Sequence, residues 1–136
     1  KIAMISHSNF GNADTPSALK MRQAVEMLRL QSPNLEVEGE MHADTALDQK
    51  LREFIFPNSR LKGSANFLVF PSLDAANSAF NLLKSAGDGL GVGPILLGAA
   101  KPAHILTPSV SARGLVNMSA LAVVDAQSRE EQGRFL

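Results

Sequence analysis

Short apolar runs alternate along this chain with stretches in which apolar residues recur every three to four positions. That alternation restricts the possible folds more than any other feature. Ile2-Ala3-Met4-Ile5 is a continuous apolar run bounded by polar residues, the pattern of a strand covered on both faces and hence of a parallel sheet. A polar, turn-forming stretch follows from Ser6 to Asp14. Thr15 then offers an N-cap oxygen, and Pro16 stands at the first helical position, where a missing N–H costs nothing. Ala18, Met21, Val25 and Leu28 share one helical face, and Pro33 and Asn34 end the helix. Leu35, Val37, Gly39 and Met41 alternate with Glu36, Glu38 and Glu40, which predicts a period-two strand with a solvated acidic face. Alternate residues of a strand lie about 7 Å apart, too wide for these carboxylates to chelate one ion tightly.

The pattern continues to the end of the chain. Asp44 is placed to cap a helix running through Phe54, with Ala46, Leu47, Leu51 and Phe54 on its apolar face and a break at Pro57-Asn58-Ser59. Asn66 to Phe70 predicts a strand that stops at Pro71, and Leu73, Ala76, Phe80 and Leu83 are in phase for the next helix. Ile95-Leu96-Leu97 predicts a buried strand and Ala103 to Leu106 a further one. Ser109 or Ser111 opens a last helix to about Gln127. Between Leu115 and Val124 that helix is apolar except for Asn117 and Ser119, which places it in a core or a subunit interface. The expected fold is a three-layer α/β/α domain with a largely parallel sheet, comprising residues 1–127, followed by a polar tail at 128–136. In such sheets ligands sit at the carboxyl ends of strands, here the loops after Ile5, Phe70 and Leu106.

Composition removes several functions. Thirteen Lys+Arg balance 13 Asp+Glu, which gives no electrostatic reason to bind nucleic acid or an anionic membrane. With 45% hydrophobic and 19% charged residues the chain can bury a core. There is no cysteine, so disulfides, thiolate metal sites and a cysteine nucleophile are excluded. No apolar run reaches the roughly 18 residues of a membrane span. A first residue other than Met, directly before a strand, reads as a piece of a longer, cytoplasmic polypeptide.

Motifs that carry chemistry are sparse. Gly87-Asp88-Gly89-Leu90-Gly91-Val92-Gly93 invites a nucleotide reading, but it follows a helix and precedes the expected strand, the reverse of the dinucleotide fingerprint. It reads as a helix stop and a flexible link. His7, His42 and His104 have no helix-face spacing for zinc, although each imidazole is a candidate base. Ser6 and Ser8 flank His7 but point to opposite sides of a strand end, and there is no Gly-x-Ser-x-Gly elbow.

Several segments together resemble the second lobe of a phosphate acetyl/butyryltransferase. They are Glu38-Gly39-Glu40-Met41-His42-Ala43-Asp44-Thr45-Ala46-Leu47, then Gly63-Ser64-Ala65-Asn66-Phe67-Leu68-Val69-Phe70-Pro71-Ser72-Leu73-Asp74-Ala75-Ala76-Asn77, and Gly93-Pro94-Ile95-Leu96-Leu97-Gly98-Ala99-Ala100-Lys101-Pro102. Ser6-His7-Ser8-Asn9-Phe10-Gly11, Glu40-Met41-His42-Ala43-Asp44, Phe56-Pro57-Asn58-Ser59-Arg60-Leu61-Lys62-Gly63 and His104-Ile105-Leu106-Thr107-Pro108-Ser109-Val110 are similar to one branch, the phosphotransacetylase-like domain fused to large bacterial NADP-dependent malic enzymes. The resemblance implies that acetyl-CoA is an effector of malate decarboxylation, that the domain supports a homo-oligomer, and that NADP and a divalent metal, Mg or Mn, serve the malic enzyme module. This segment is expected to hold no cofactor or metal of its own.

The same resemblance locates a loss. Working transacetylases carry a Ser-Arg pair after the Lys-Pro of this region, and Thr107 and Pro108 stand at those places. Arginine gives fixed donors to a developing anion, and proline has neither charge nor donor. The family's Asp base falls at Gly114, which cannot take a proton. No catalytic residue is therefore expected. Lys101, Thr107, Ser109, Arg113 and Asn77 are the expected effector contacts, with Arg113 a partial substitute for the lost charge. Leu115, Met118, Leu121 and Ala122 are the expected oligomer interface. The alternatives are an active phosphate acetyltransferase, making acetyl phosphate from acetyl-CoA and phosphate, and a purely structural dimerisation domain.

Overall fold

Strand β1 (Ile2–Ile5) runs between two parallel neighbours, β2 (Val37–Met41) and β3 (Phe67–Val69), in the order β2-β1-β3. The chain, a computed structural model, is described for residues 1–131 and 133. It divides into two units, Lys1–Leu83 and Lys84–Leu136, with the boundary inside a helix.

In the first unit the side chains of β1 alternate between two apolar clusters. Met4 packs with Val37 of β2 and with Met21 and Val25 of α1 (Pro16–Gln31). Ala3 and Ile5 pack on the other face with Met41, Ala46, Leu61 and Ala65. Helix α2 (Ala43–Leu47) carries Ala46 into that second cluster. The sheet is thus covered on both faces, and the α/β/α layering predicted from the continuous apolar run of β1 is observed.

Helix α1 forms as its sequence predicts. Thr15 Oγ1 accepts from Ala18 N at 3.4 Å, Pro16 opens the helix, and Ala18, Met21 and Val25 are its buried stripe. Strand β2 departs from prediction. Met4 pairs with Gly39 but Ile5 pairs with Met41, so one extra residue, Glu40, bulges from the ladder. The slip sends Val37 and Met41 into opposite clusters, although period-two counting puts them on one face. Gly39 is required there: at φ +140° an added Cβ would lie 2.7 Å from Met4 O.

The helix expected from Asp44 through Phe54 is two helices, α2 and α3 (Gln49–Ile55), and Asp44 lies inside the first of them. Asp48 makes the break. Its backbone is extended, and its carboxylate accepts from Lys50 N at 2.9 Å and Leu51 N at 3.1 Å, capping α3. Helix α4 (Leu73–Ala86) opens on Ser72, whose hydroxyl accepts from Ala75 N.

In the second unit the strands expected at Ile95–Leu97 and Ala103–Leu106 are not formed. A strand needs a ladder partner, whatever its own apolar character. Between Asp88 and Val110 the backbone makes two main-chain bonds among the described residues, Gly89 N to Lys84 O and Val110 N to Thr107 O. Leu96 N donates instead to His104 Nδ1. The last helix, α5 (Ala112–Glu131), starts after Ser111, whose hydroxyl accepts from Gly114 N at 3.1 Å. It continues through Ser128–Glu131 of the expected tail, where Arg129 bonds Asp125 one turn earlier and Ala99 O. Gln132 and 134–136 of that tail lie outside the described residues.

Candidate functional site

The carboxyl end of β1 leads into the loop Ser6 to Asp14, one of the positions where a parallel sheet presents ligands. Glu40 holds this loop from beneath. Its Oε1 accepts from the Ser8 hydroxyl at 2.7 Å, from Gly11 N at 2.9 Å and from the Arg22 guanidinium at 2.9 Å, while Oε2 accepts from Arg22 Nε at 3.1 Å. Arg22 also pairs with Asp14 at 3.0 Å and reaches Ala13 O. Burial pushes the Glu40 carboxyl up, but the donors from Arg22, Ser8 and Gly11 outweigh it and leave the group at about 2. The same two carboxylates hold the Arg22 guanidinium above its ordinary value.

The backbone of the loop is fixed as well. Phe10 N donates to Glu40 O, His42 N to the Asn9 side chain, and the Phe10 ring stacks on Phe56 with centroids 4.3 Å apart. His42 does stand at the end of β2, as the N-cap residue of α2, with Nε2 2.8 Å from His7 O. His7 Nε2 lies 3.2 Å from Thr15 Oγ1. Ser8 is fully buried and Ser6 Oγ accepts from Ser8 N, so both serines serve the turn. Among the described residues no group of three or more His, Asp or Glu is placed to hold a metal.

The acidic face of β2 is not solvated. Glu38 and Glu40 are each 1% exposed. Glu38 pairs with Arg29 and accepts from Arg60 N at 2.7 Å. Burying a carboxylate is tolerable only with such partners. Arg52, fully buried, pairs with no carboxylate among the described residues. Its guanidinium donates to Thr45 O and Ala46 O at the end of α2 and to Leu61 O and Gly63 O in the following loop. A cation at the last carbonyls of a helix satisfies acceptors that the helix leaves open. The reading from sequence missed these arginines. The available signal was the spacing of Arg22 and Arg29, two turns apart on the helix that precedes the acidic strand.

The second unit contains a cavity of about 360 Å³. The glycine loop forms one wall, from Gly89 to Pro94. Thr107, Ser109, Val110 and Ser111 form another, and Asn117 and Met118 of α5 close it. Two of the expected effector contacts therefore meet, with Thr107 Oγ1 and Ser109 Oγ 3.0 Å apart. The others are elsewhere. Lys101 borders a separate hollow of about 490 Å³ with Ala122, Val123 and Ala126. Arg113 lines neither space. Asn77 belongs to the first unit, and its side chain accepts from Asn81. Gly114 lines the first cavity, and a Cβ there would come within 2.8 Å of Val110 Cγ2.

Residues expected in an oligomer interface are split in the same way. Met118 is buried in its own unit, Leu121 and Ala122 are half-buried, and Leu115 is exposed. The exposed apolar stripe of α5 is Val116, Ala120, Val123 and Val124. No helix among the described residues is long and apolar enough to cross a membrane.

The family model described as phosphate acetyl/butaryl transferase matches residues 1–123. The chain is 56% identical over 126 residues to an NAD-dependent malic enzyme of Rhizobium meliloti (strain 1021), covering 93% of this chain and 16% of that protein. It is 53% identical over 130 residues to an NADP-dependent malic enzyme of Escherichia coli (strain K12), covering 95% and 17%. Among solved structures, a phosphotransacetylase from Streptococcus pyogenes superposes with a TM-score of 0.84 at 32% identity, over 96% of this chain and 39% of that one. The chain thus spans about a sixth of the length of these malic enzymes. With the matched span and the superposition taken together, the chain belongs to the phosphate acetyl/butaryl transferase family.

Proposed function

We propose that this domain is a regulatory, non-catalytic module that binds acetyl-CoA within an NAD- or NADP-dependent malic enzyme. The observation that carries the reading is the cavity bordered by Thr107, Ser109 and Gly114. It keeps hydroxyls that hydrogen-bond a thioester. It lacks the arginine and the base that the resemblance assigns to turnover: Pro108, between the lining residues Thr107 and Ser109, takes the arginine's place in the sequence, and Gly114 takes that of the base. Val110 occupies the space that a side chain at 114 would need, so the missing base is also sterically disfavoured. To regulate, acetyl-CoA must bind two states of the enzyme with different affinity.

The test uses the full-length protein. Malate-dependent formation of NADH or NADPH is followed while acetyl-CoA is titrated. Saturable inhibition that disappears when this domain is deleted is the expected result. An active preparation with no response to acetyl-CoA overturns the regulatory reading. Phosphate-dependent release of thiol from acetyl-CoA would establish a working transacetylase instead.

A second role rests on a separate observation. Val116, Val123 and Val124 are each more than half exposed along one side of α5. An apolar stripe of this kind fits a surface covered in an assembly, which supports a contribution of the domain to oligomerisation.

A further inference from the structure

We propose that Lys84, rather than Arg113, supplies the positive charge to the effector in the cavity of the second unit. The inference rests on the acetyl-CoA reading above and deepens it by naming the cation. Among the described residues, Lys84 is the one cation that lines this cavity, and no carboxylate lines it. Thr107, Ser109, Ser111 and Asn117 add polar groups, and the remaining lining is glycine and apolar surface. An enclosure with one cation, several hydroxyls and no acid favours a ligand that is anionic or carries a polarised carbonyl beside an apolar portion.

Lys84 is available for that task. It stands in the last turn of α4, where Lys84 O accepts from Gly89 N as the chain turns into the glycine loop. Its ammonium has no hydrogen-bond or ion-pair partner among the described residues, whereas Arg129 of the same unit is engaged by Asp125 and Ala99 O. A four-carbon stem lets the ammonium sweep the rim and meet a ligand as a point charge. Arg113 follows the Thr107–Ser109 turn closely in sequence but does not line the cavity. Proximity in sequence therefore points to the wrong cation.

The experiment is calorimetric titration of acetyl-CoA into the full-length protein and its Lys84→Met, Lys84→Arg and Arg113→Met variants, at low and high salt. Lys84→Met is expected to weaken binding about tenfold and to flatten its salt dependence, because a charge-assisted bond is lost. Lys84→Arg is expected to recover most of the affinity, and Arg113→Met to match the unsubstituted protein. Equal binding by Lys84→Met, or a loss confined to Arg113→Met, overturns the assignment while leaving acetyl-CoA as the effector. No binding by the unsubstituted protein overturns the acetyl-CoA reading and this inference with it. Circular dichroism of each variant separates lost binding from lost folding.

Discussion

Glu40 concentrates what single residues do in this domain. It is the extra residue of a bulge, it is buried, and it anchors Ser8, Gly11 and Arg22 around one carboxylate. Replacing it by alanine leaves these donors without their acceptor and is expected to cost about 3 kcal/mol, read as a fall in the urea midpoint at pH 7. The pH dependence has a definite sign. The folded carboxyl lies near 2 against an ordinary 4.5, so its contribution is full above 4.5 and is lost as pH falls toward 2. Urea midpoints from pH 5 to 2.5 should therefore drop more steeply for the native sequence than for Glu40→Gln. Parallel slopes would show that other carboxylates carry the acid sensitivity. None of this follows from the alternation of Glu36, Glu38 and Glu40 with apolar residues. Alternation separates two faces of a strand, but whether the polar face meets water depends on what another element brings to it. Here α1 brings Arg22 and Arg29.

At the scale of elements, legibility follows locality. Cap and stripe of α1 lie within a few residues of each other, and Thr15, Pro16, Ala18, Met21 and Val25 act as their sequence predicts. The break at Asp48 is equally local, but Asp44 comes first in the chain as a cap residue type; it lies inside α2, whereas Asp48 precedes α3 and accepts from its first N–H groups. Asp48→Ala is expected to cost about 1 kcal/mol, seen as a lower Tm with unchanged helix content outside α3. The segments Ile95–Leu97 and Ala103–Leu106 fail for the opposite reason. Their apolar character is local, but their strand state needs hydrogen-bond partners that the described residues do not supply. Gly114, in the first turn of α5, gives a second prediction. Gly114→Asp places a side chain against Val110 Cγ2 and is expected to destabilise by about 2 kcal/mol without producing phosphate-dependent thiol release from acetyl-CoA. A variant of native stability would show that the space is open after all and weaken the steric part of the argument.

For the whole molecule, the resemblance carried by short motifs located the family, while the two cavities had to be seen. Thr107 and Ser109 line one cavity; Lys101 and Arg113 do not join them, because a helix turn and a loop direct their side chains independently of sequence order. The same rule decides where α5 can bind another surface. Leu121, half-buried, is a poor probe, since a charge there would disturb its own unit before any assembly. Val116 and Val123 lie two turns apart, exposed at 66% and 56%. Val116→Asp with Val123→Asp in the full-length protein is therefore expected to reduce the mass measured by light scattering while leaving the circular dichroism spectrum unchanged, because charge repels at a covered apolar stripe and is solvated at a free one. An unchanged mass would place this stripe outside the assembly. If the acetyl-CoA response proposed above is observed and falls together with the mass, the stripe also lies on the proposed route between the domain and the rest of the full-length protein. A response that survives dissociation would confine the coupling to a single subunit.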